Sequence, residues 1–358
     1  MALDGDAPAL MTPVRPALLL LNAGSSSLKA ALYSADGCEL LWRDQRSWPG
    51  HAAESGSGKA QEALLEGWLL PALEPWWSAL HLVGHRVVHG GERFTAPTRL
   101  DREALIELER LLPLAPLHNG PALRLIRWLL RLRPELPQWA CFDTAFHRTL
   151  PPEAHTYALP LRWRQQGLRR YGFHGLSHQH VSAVVPHSRL ISCHLGAGCS
   201  LCAIRERRSI ATTMGFTPLD GLVMATRSGS IDPGVLLHLL RQGVSAAELE
   251  QVLQQRSGLL ALSQGSSDMR ELRGAAAAGD GAAALAIAVF RQSLLQGIGA
   301  MAAALGGVDA IALTGGIGEH DGALREELAA ALAWLPPFRL IQVAADEEGV
   351  MARSLAAR

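Results

Sequence analysis

Three glycine-rich turns, at 23–27, 196–200 and 315–319, each follow an apolar run. Glycine removes the Cβ that blocks backbone amides from approaching an anion. One such turn reads as a plain hairpin; three on a repeated plan suit a cradle for a phosphate chain. Neither the Walker pattern nor the dinucleotide fingerprint is present. Phosphoryl transfer also needs cations, because charge builds on the equatorial oxygens. Arg86, within the apolar run GHRVVHGG, and Arg227, in the glycine-flanked MATRSGSIDPG, stand where a solvated arginine is not expected. For each, a structural ion pair and an anion clamp are equally open.

His85, His89, His118, His147, His174, His178 and His194 all fall in turn-rich segments. Most suit hydrogen-bonded loop histidines. RRYGFHGLSHQHV is the segment best placed for chemistry, since a histidine beside arginines can offset phosphoryl charge without being a nucleophile. Asp143 emerges from an apolar run in CFDTAFH, as a base or as a buried paired aspartate. Cys199 and Cys202, with Cys193 and His194 nearby, have zinc-like spacing, but strand alternation would not converge them on one ion.

These residues require elements to hold them. The apolar residues from 17 to 21, a polar Gly/Ser turn and an alternating stretch over 27–33 predict a β-hairpin. Residues 45–59 read as loop, 61–80 as a helix, and LVGHRVVHGG as a strand. Helices are predicted over 101–112 and through 132, separated by the breaking loop PLAPLHNGPAL. RLISCHLGAGCSLCAI repeats the strand, glycine turn, strand plan of the N-terminus. VDAIALTGGIGEHDGALREEL then reads as strand, turn, helix, and the Ala-rich 274–286 as a helix with a small-residue face. A short strand after Pro337 leads into an acidic-started helix. This predicts an α/β protein of two lobes with mixed sheets: 1–15 a disordered tail, 16–155 plus 338–358 one lobe, and 156–337 the other.

Composition agrees. The 358 residues fit two domains at roughly 150 residues each, and 48% hydrophobic against 18% charged residues can fill two cores. Lys plus Arg equals Asp plus Glu at 33, so no net field favours nucleic acid or an anionic membrane. Five cysteines form no even framework, which suits a reducing compartment, and cytoplasm is expected. The N-terminus lacks a signal-peptide pattern, and the longest apolar runs fall short of the roughly 20 residues that span a bilayer.

From about residue 18 to 353 the chain resembles the acetate kinase family, in the superfamily of sugar kinases, heat-shock chaperone ATPases and actin. The motifs that carry the resemblance are NAGSSSLK, GHRVVHGGERF, LAPLHN, FDTAFH, RRYGFHGLSH, CHLGAGCS, MGFTPLDGLVMATRSGSIDPG, SSDMREL, TGGIGEH and DEEGVMAR. The resemblance implies reversible, direct in-line transfer of the ATP γ-phosphoryl group to acetate, in a homodimer of actin-like (ribonuclease H-like) lobes. It implies Mg²⁺, with Mn²⁺ as an alternative, held by Asn22 and Glu347. Ser25, Ser27 and Lys29 would line the phosphate path. Arg86 and Arg227 would bind carboxylate and phosphoryl group, His174 would stabilise charge, and Asp143 would act as acid/base or orienting group. Val88, Leu117, Phe173 and Pro218 would form the acyl pocket, with His118 supporting. His194, Leu195, Gly196, Ala197, Gly198, Asp268, Met269, Arg270, Gly315, Gly316, Ile317, Gly318 and Glu319 match the nucleotide segments.

The chain departs from the family pattern at several places. Ala197 stands for a usual Asn, Ser230 and Ala211 for usual Asp residues, Leu176 for Thr and His320 for Asn, and HNPPN reads HNGPA. Three alternatives follow: a propionate or butyrate kinase, a kinase using another phosphate donor, or a nucleotide-binding homologue with impaired catalysis.

Overall fold

The computed structural model describes residues 16–24, 27–47, 57–356 and 358, with the side chains of Ser57, Pro116, Leu117 and His118 excepted. The tail 1–15 expected from the sequence lies outside these residues, as do Ser25 and most of the loop expected at 45–59.

The first sheet has six strands: β1 (Ala17–Ala23), β2 (Ser27–Ser34), β3 (Leu40–Ser47), β4 (Leu80–Val87), β5 (Thr98–Arg99) and β6 (Gln138–Phe142), in the order β3-β2-β1-β4-β6-β5. β1, ALLLLNA, is buried along its whole length because both faces are covered. It pairs antiparallel with β2 and parallel with β4, which pairs parallel with β6. The second sheet holds β7 (Arg189–Leu195), β8 (Cys199–Arg205), β9 (Arg208–Thr212), β10 (Ala310–Thr314) and β11 (Arg339–Gln342), in the order β11-β10-β7-β8-β9. Here too β7 pairs antiparallel with β8 and parallel with β10, and β10 parallel with β11. Placing β3-β2-β1-β4-β6 over β9-β8-β7-β10-β11 reproduces both order and sense. This is the duplication that the repeated glycine-turn motif predicts, and it fits the actin-like lobes that the resemblance implies.

Four details differ from the sequence reading. β3 extends pairing to Ser47, inside the segment expected as loop. The helix expected over 61–80 gives way by Leu73 to a short 3₁₀ turn, Glu74–Trp76, and then to β4, whose first residue is Leu80. The Ala-rich segment is two helices, Met269–Ala277 and Gly281–Leu305, because Gly279 at φ 96° breaks the first and Asp280 caps the second. Of residues 338–358, β11 belongs to the second sheet; only the helix Glu347–Leu355 returns to the first, burying Val350, Met351 and Leu355 against Leu18, Leu20 and Leu82. The chain therefore crosses back after β11, not before it.

The helix Gly281–Leu305 runs far beyond the ten-residue apolar stretch seen in sequence and is, by length and composition, long and apolar enough to cross a bilayer. Here its Ala286, Phe290, Leu294 and Ile298 fill the core of the second sheet beside Leu201 and Ile311.

Candidate active site

In open α/β sheets, ligands bind beyond the carboxyl ends of the parallel strands. Both sheets obey this rule on one shared cleft, a cavity of about 400 Å³. Asn22 and Arg86 are next to last in β1 and β4, and Asp143 follows β6; from the other half, His194 is next to last in β7 and Gly315 follows β10.

Arg86 binds Asp143 in a fork, Nε to Oδ1 at 3.0 Å and Nη2 to Oδ2 at 2.5 Å, and its Nη1 donates to Asn22 Oδ1 at 3.0 Å. Burial works against the arginine's charge, but the carboxylate of Asp143 outweighs it and raises the pKa above the ordinary value. Asn22 in turn donates to Glu348 at 2.8 Å. The first half therefore presents a cation already locked in place.

Arg227 differs. Its Nη1 donates to the carbonyl oxygen of Pro218 at 3.1 Å and contacts Met224 Sδ at 3.6 Å, and no carboxylate pairs with it among the described residues. Burial, reinforced by Arg86, lowers its pKa, Cys199 opposing only in part. A half-buried cation without an anion is an incomplete site.

His174 caps the helix Gly175–Val184 in a left-handed conformation, φ 56°. The helix cannot shift away from Asp143: Gly175 N–H donates to the Asp143 carbonyl at 2.8 Å, and a Cβ on Gly175 would stand 2.0 Å from that oxygen. The His174 ring is oriented by Ser200, whose hydroxyl lies 2.9 Å from His174 Nδ1 and from His178 Nε2. Burial, then His194, Arg86, His178 and Arg227, hold the ring well below the ordinary histidine value, so it is neutral near pH 7. A Cβ on Gly198 would meet His174 Nε2 at 3.2 Å and Arg227 Nη1 at 3.4 Å, so the two donors converge on the bare backbone of Gly198.

The cavity also gathers Ser27, Lys29, Val88, Phe173, Pro218, His194, Ala197, Gly198, Gly315, Gly316, Glu319 and Glu347. Burial acts to raise the Glu347 carboxyl, but His194, Lys29 and Arg86 outweigh it and leave it below the usual range. Leu195 and Gly318 are buried and Ile317 packs on the core of the second sheet; neither these three nor Gly196 lines the cavity. Asp268 and Arg270 pair with each other at 2.6 Å on an exposed helix start, Met269 is buried in the core, and none of the three lines the cavity. Ser25 lies outside the described residues, as do the side chains of Leu117 and His118. In the glycine turn at 315–319 the Gly315 amide is already occupied, since the Glu319 carboxylate accepts from the N–H groups of Gly315 and Ala345, each at 3.0 Å.

Three supporting groups escaped the sequence reading: Ser200, Ser177, which contacts His194 Nδ1 at 2.8 Å, and Glu348. The helical i, i+4 spacing of His174 and His178 is the one sequence signal that could have shown the first. The cysteine geometry matches its expectation, with Cys199 and Cys202 buried in separate core clusters on opposite faces of β8.

Residues 17–347 match the profile of the Acetokinase family. The acetate kinase of Synechococcus sp. (strain JA-2-3B'a(2-13)) is 42% identical over 352 residues, covering 89% of this chain and 87% of that protein. A solved propionate kinase from Francisella tularensis subsp. tularensis SCHU S4 superposes with TM-score 0.84 at 33% identity, over 95% of this chain and 98% of that one. Porphyromonas gingivalis acetate kinase gives TM-score 0.82 at 31% identity, over 96% and 99%. With the profile spanning both lobes and the cleft between them, the chain belongs to the acetokinase family.

Proposed function

We propose that the protein transfers the γ-phosphoryl group of ATP reversibly to acetate, giving ADP and acetyl phosphate. The observation that carries this is Arg227, a half-buried cation without a carboxylate among the described residues, converging with neutral His174 on Gly198 beside the apolar walls Val88, Phe173 and Pro218.

The acid arrives already ionised, so no strong base is needed; the obstacle is bringing one anion against another. Arg227 binds the incoming phosphoryl oxygens and His174 donates from Nε2, gaining basicity as negative charge collects beside it. Asp143, held in the fork of Arg86, acts as the orienting group: it fixes the guanidinium whose remaining N–H donors face the acid. The carboxylate oxygen bonds to phosphorus as the bridging P–O bond breaks and its electron pair leaves with ADP. Lys29 and Ser27 line the phosphate path, and Ala23 and Gly24 complete its backbone wall.

Mg²⁺ binds through one or two carboxylates plus phosphate oxygens and water, not through a full protein cage. Among the described residues no group of three or more His, Cys, Asp or Glu side chains forms such a cage. Glu347, an ionised carboxylate on the cleft wall, fits the partial role, whereas the Asn22 oxygen already accepts from Arg86 and can only supplement it. When bound, Mg²⁺ or Mn²⁺ would neutralise phosphate charge.

Propionate is the second reading, favoured by the likeness to the Francisella propionate kinase. An apolar wall discriminates one methylene by only about 1–3 kcal/mol. Trapping acyl phosphate as hydroxamate, with formate, acetate, propionate and butyrate and with several phosphate donors, tests both readings. Acetate with ATP should be fastest. A faster propionate rate replaces the first reading with the second; ATP binding without turnover of any acid removes both.

We place the protein in the cytoplasm, supported by five free cysteines, and as a homodimer. The helix Pro233–Arg241 has no buried residue, and Val235, Leu237 and Leu240 with Ile231 form an exposed apolar face that a second copy would cover. Light scattering on the L237E/L240E variant would then report a monomer.

A further inference from the structure

A second and larger hollow, about 920 Å³, lies away from the cleft. Its walls come from the loop at 95–97, the 3₁₀ segment Ala145–Thr149, the helix Gly175–Val184 and the turn between β8 and β9. Three arginines line it: Arg148, Arg207 and Arg208. No Asp or Glu lines it, and none of the three makes an ion pair among the described residues. Some exposed arginines elsewhere are paired with acids, as Arg93 is with Glu103 and Arg131 with Glu62. Arg207 reaches only the carbonyl of Ala183, at 3.4 Å. Ser182 and Gln179 add a hydroxyl and an amide to the same wall. The chain thus gathers three positive charges without a carboxylate partner around one cavity, among the described residues.

We infer that this groove binds a small polyanion carrying two or three carboxylate or phosphate groups. Guanidinium groups match such groups bidentately, and a single-charged ion would leave most of the positive charge uncompensated. The groove stands back to back with the cleft. Arg148 lies five residues after Asp143, and the helix that contributes Gln179 and Ser182 is the one His174 caps. Between them, His147 Nε2 lies 2.9 Å from the Phe173 carbonyl oxygen. An anion here would rest on the reverse side of the two segments that carry Asp143 and His174 into the cleft.

Calorimetric titration of the full chain at low salt, with tricarballylate and separately with methylenediphosphonate, tests the assignment without relying on turnover. Binding is expected for at least one probe, and the tighter of the two identifies carboxylate or phosphate as the ligand chemistry. Each of R148Q, R207Q and R208Q should weaken it about tenfold, and the triple variant should abolish it. Added salt should weaken it in wild type. Lysine at the same positions keeps the charge and should retain part of the affinity, which separates lost recognition from lost folding. Absence of binding by both probes, or equal affinity in wild type and the triple glutamine variant, overturns the proposal, since persistent binding would then belong to the cleft.

Discussion

The two halves share a strand order but not a way of holding positive charge. In the first, Arg86 is forked onto Asp143 and tied to Asn22, so its charge is balanced before any ligand arrives. In the second, Arg227 has a carbonyl oxygen and a thioether for company. Duplication supplied two sets of strand ends facing one cleft, and the chemistry then diverged. One half positions, and the other waits for an anion.

Removing each arginine should break this comparison in opposite ways. R227A should lower turnover by about 10³-fold, the scale of an arginine that stabilises transferring phosphoryl charge. Its melting temperature should hold or rise, because no partner is orphaned. R86A should lose activity and also about 3–5 kcal/mol of stability in chemical denaturation, since Asp143, 1% exposed, is left buried and unpaired. Equal stability losses in the two variants would erase the distinction.

Smaller effects sharpen it. G198A should cost roughly tenfold in kcat with little change in melting temperature, because its Cβ presses on His174 Nε2 and Arg227 Nη1 together. A197N, which restores the usual family residue on the cleft wall, should lower the KM for nucleotide a few-fold, about 1 kcal/mol for one added hydrogen bond.

The remaining effect is on stability against pH. Burial lowers His85, His89 and His147 from 6.5 to about 4. Between those values the unfolded chain binds these protons and the folded one does not, so stability should fall as pH drops from about 6.5 towards 4 and be flat with respect to these groups above it. Calorimetric melting across that range checks the sign.

Local pattern made much of this legible. The alternation after NAGSSS predicts β2, and the echo in HLGAGCS predicts β8; both strands are present. The cleft arginines, Asp143 and His174 were visible because each interrupts an apolar or glycine-rich run. Pairings across long separations were not. Nothing in sequence says that Arg86 closes on Asp143, 57 residues away, while Arg227 meets only a carbonyl oxygen and a thioether among the described residues, or that Ser200 steadies His174 from the adjoining hairpin. The sheet to which the short β11 belongs is hidden for the same reason: four residues carry a strand signal but no address.

Ser230 shows how a departure can be local. It stands for the family's usual Asp, and its hydroxyl donates to Asp220 at 2.6 Å, outside the cleft walls. A second carboxylate at that distance would repel the first. Ala197 is different, since it does line the cleft.

The central claim is most directly tested by the initial rate of acetyl hydroxamate formation from ATP and acetate, measured side by side for the wild-type protein and R227A. Steady turnover by the wild type and a loss of about 10³-fold in a folded R227A is the predicted result. Turnover that survives the substitution within about threefold, on the transition-state scale where tenfold is 1.36 kcal/mol, would contradict it.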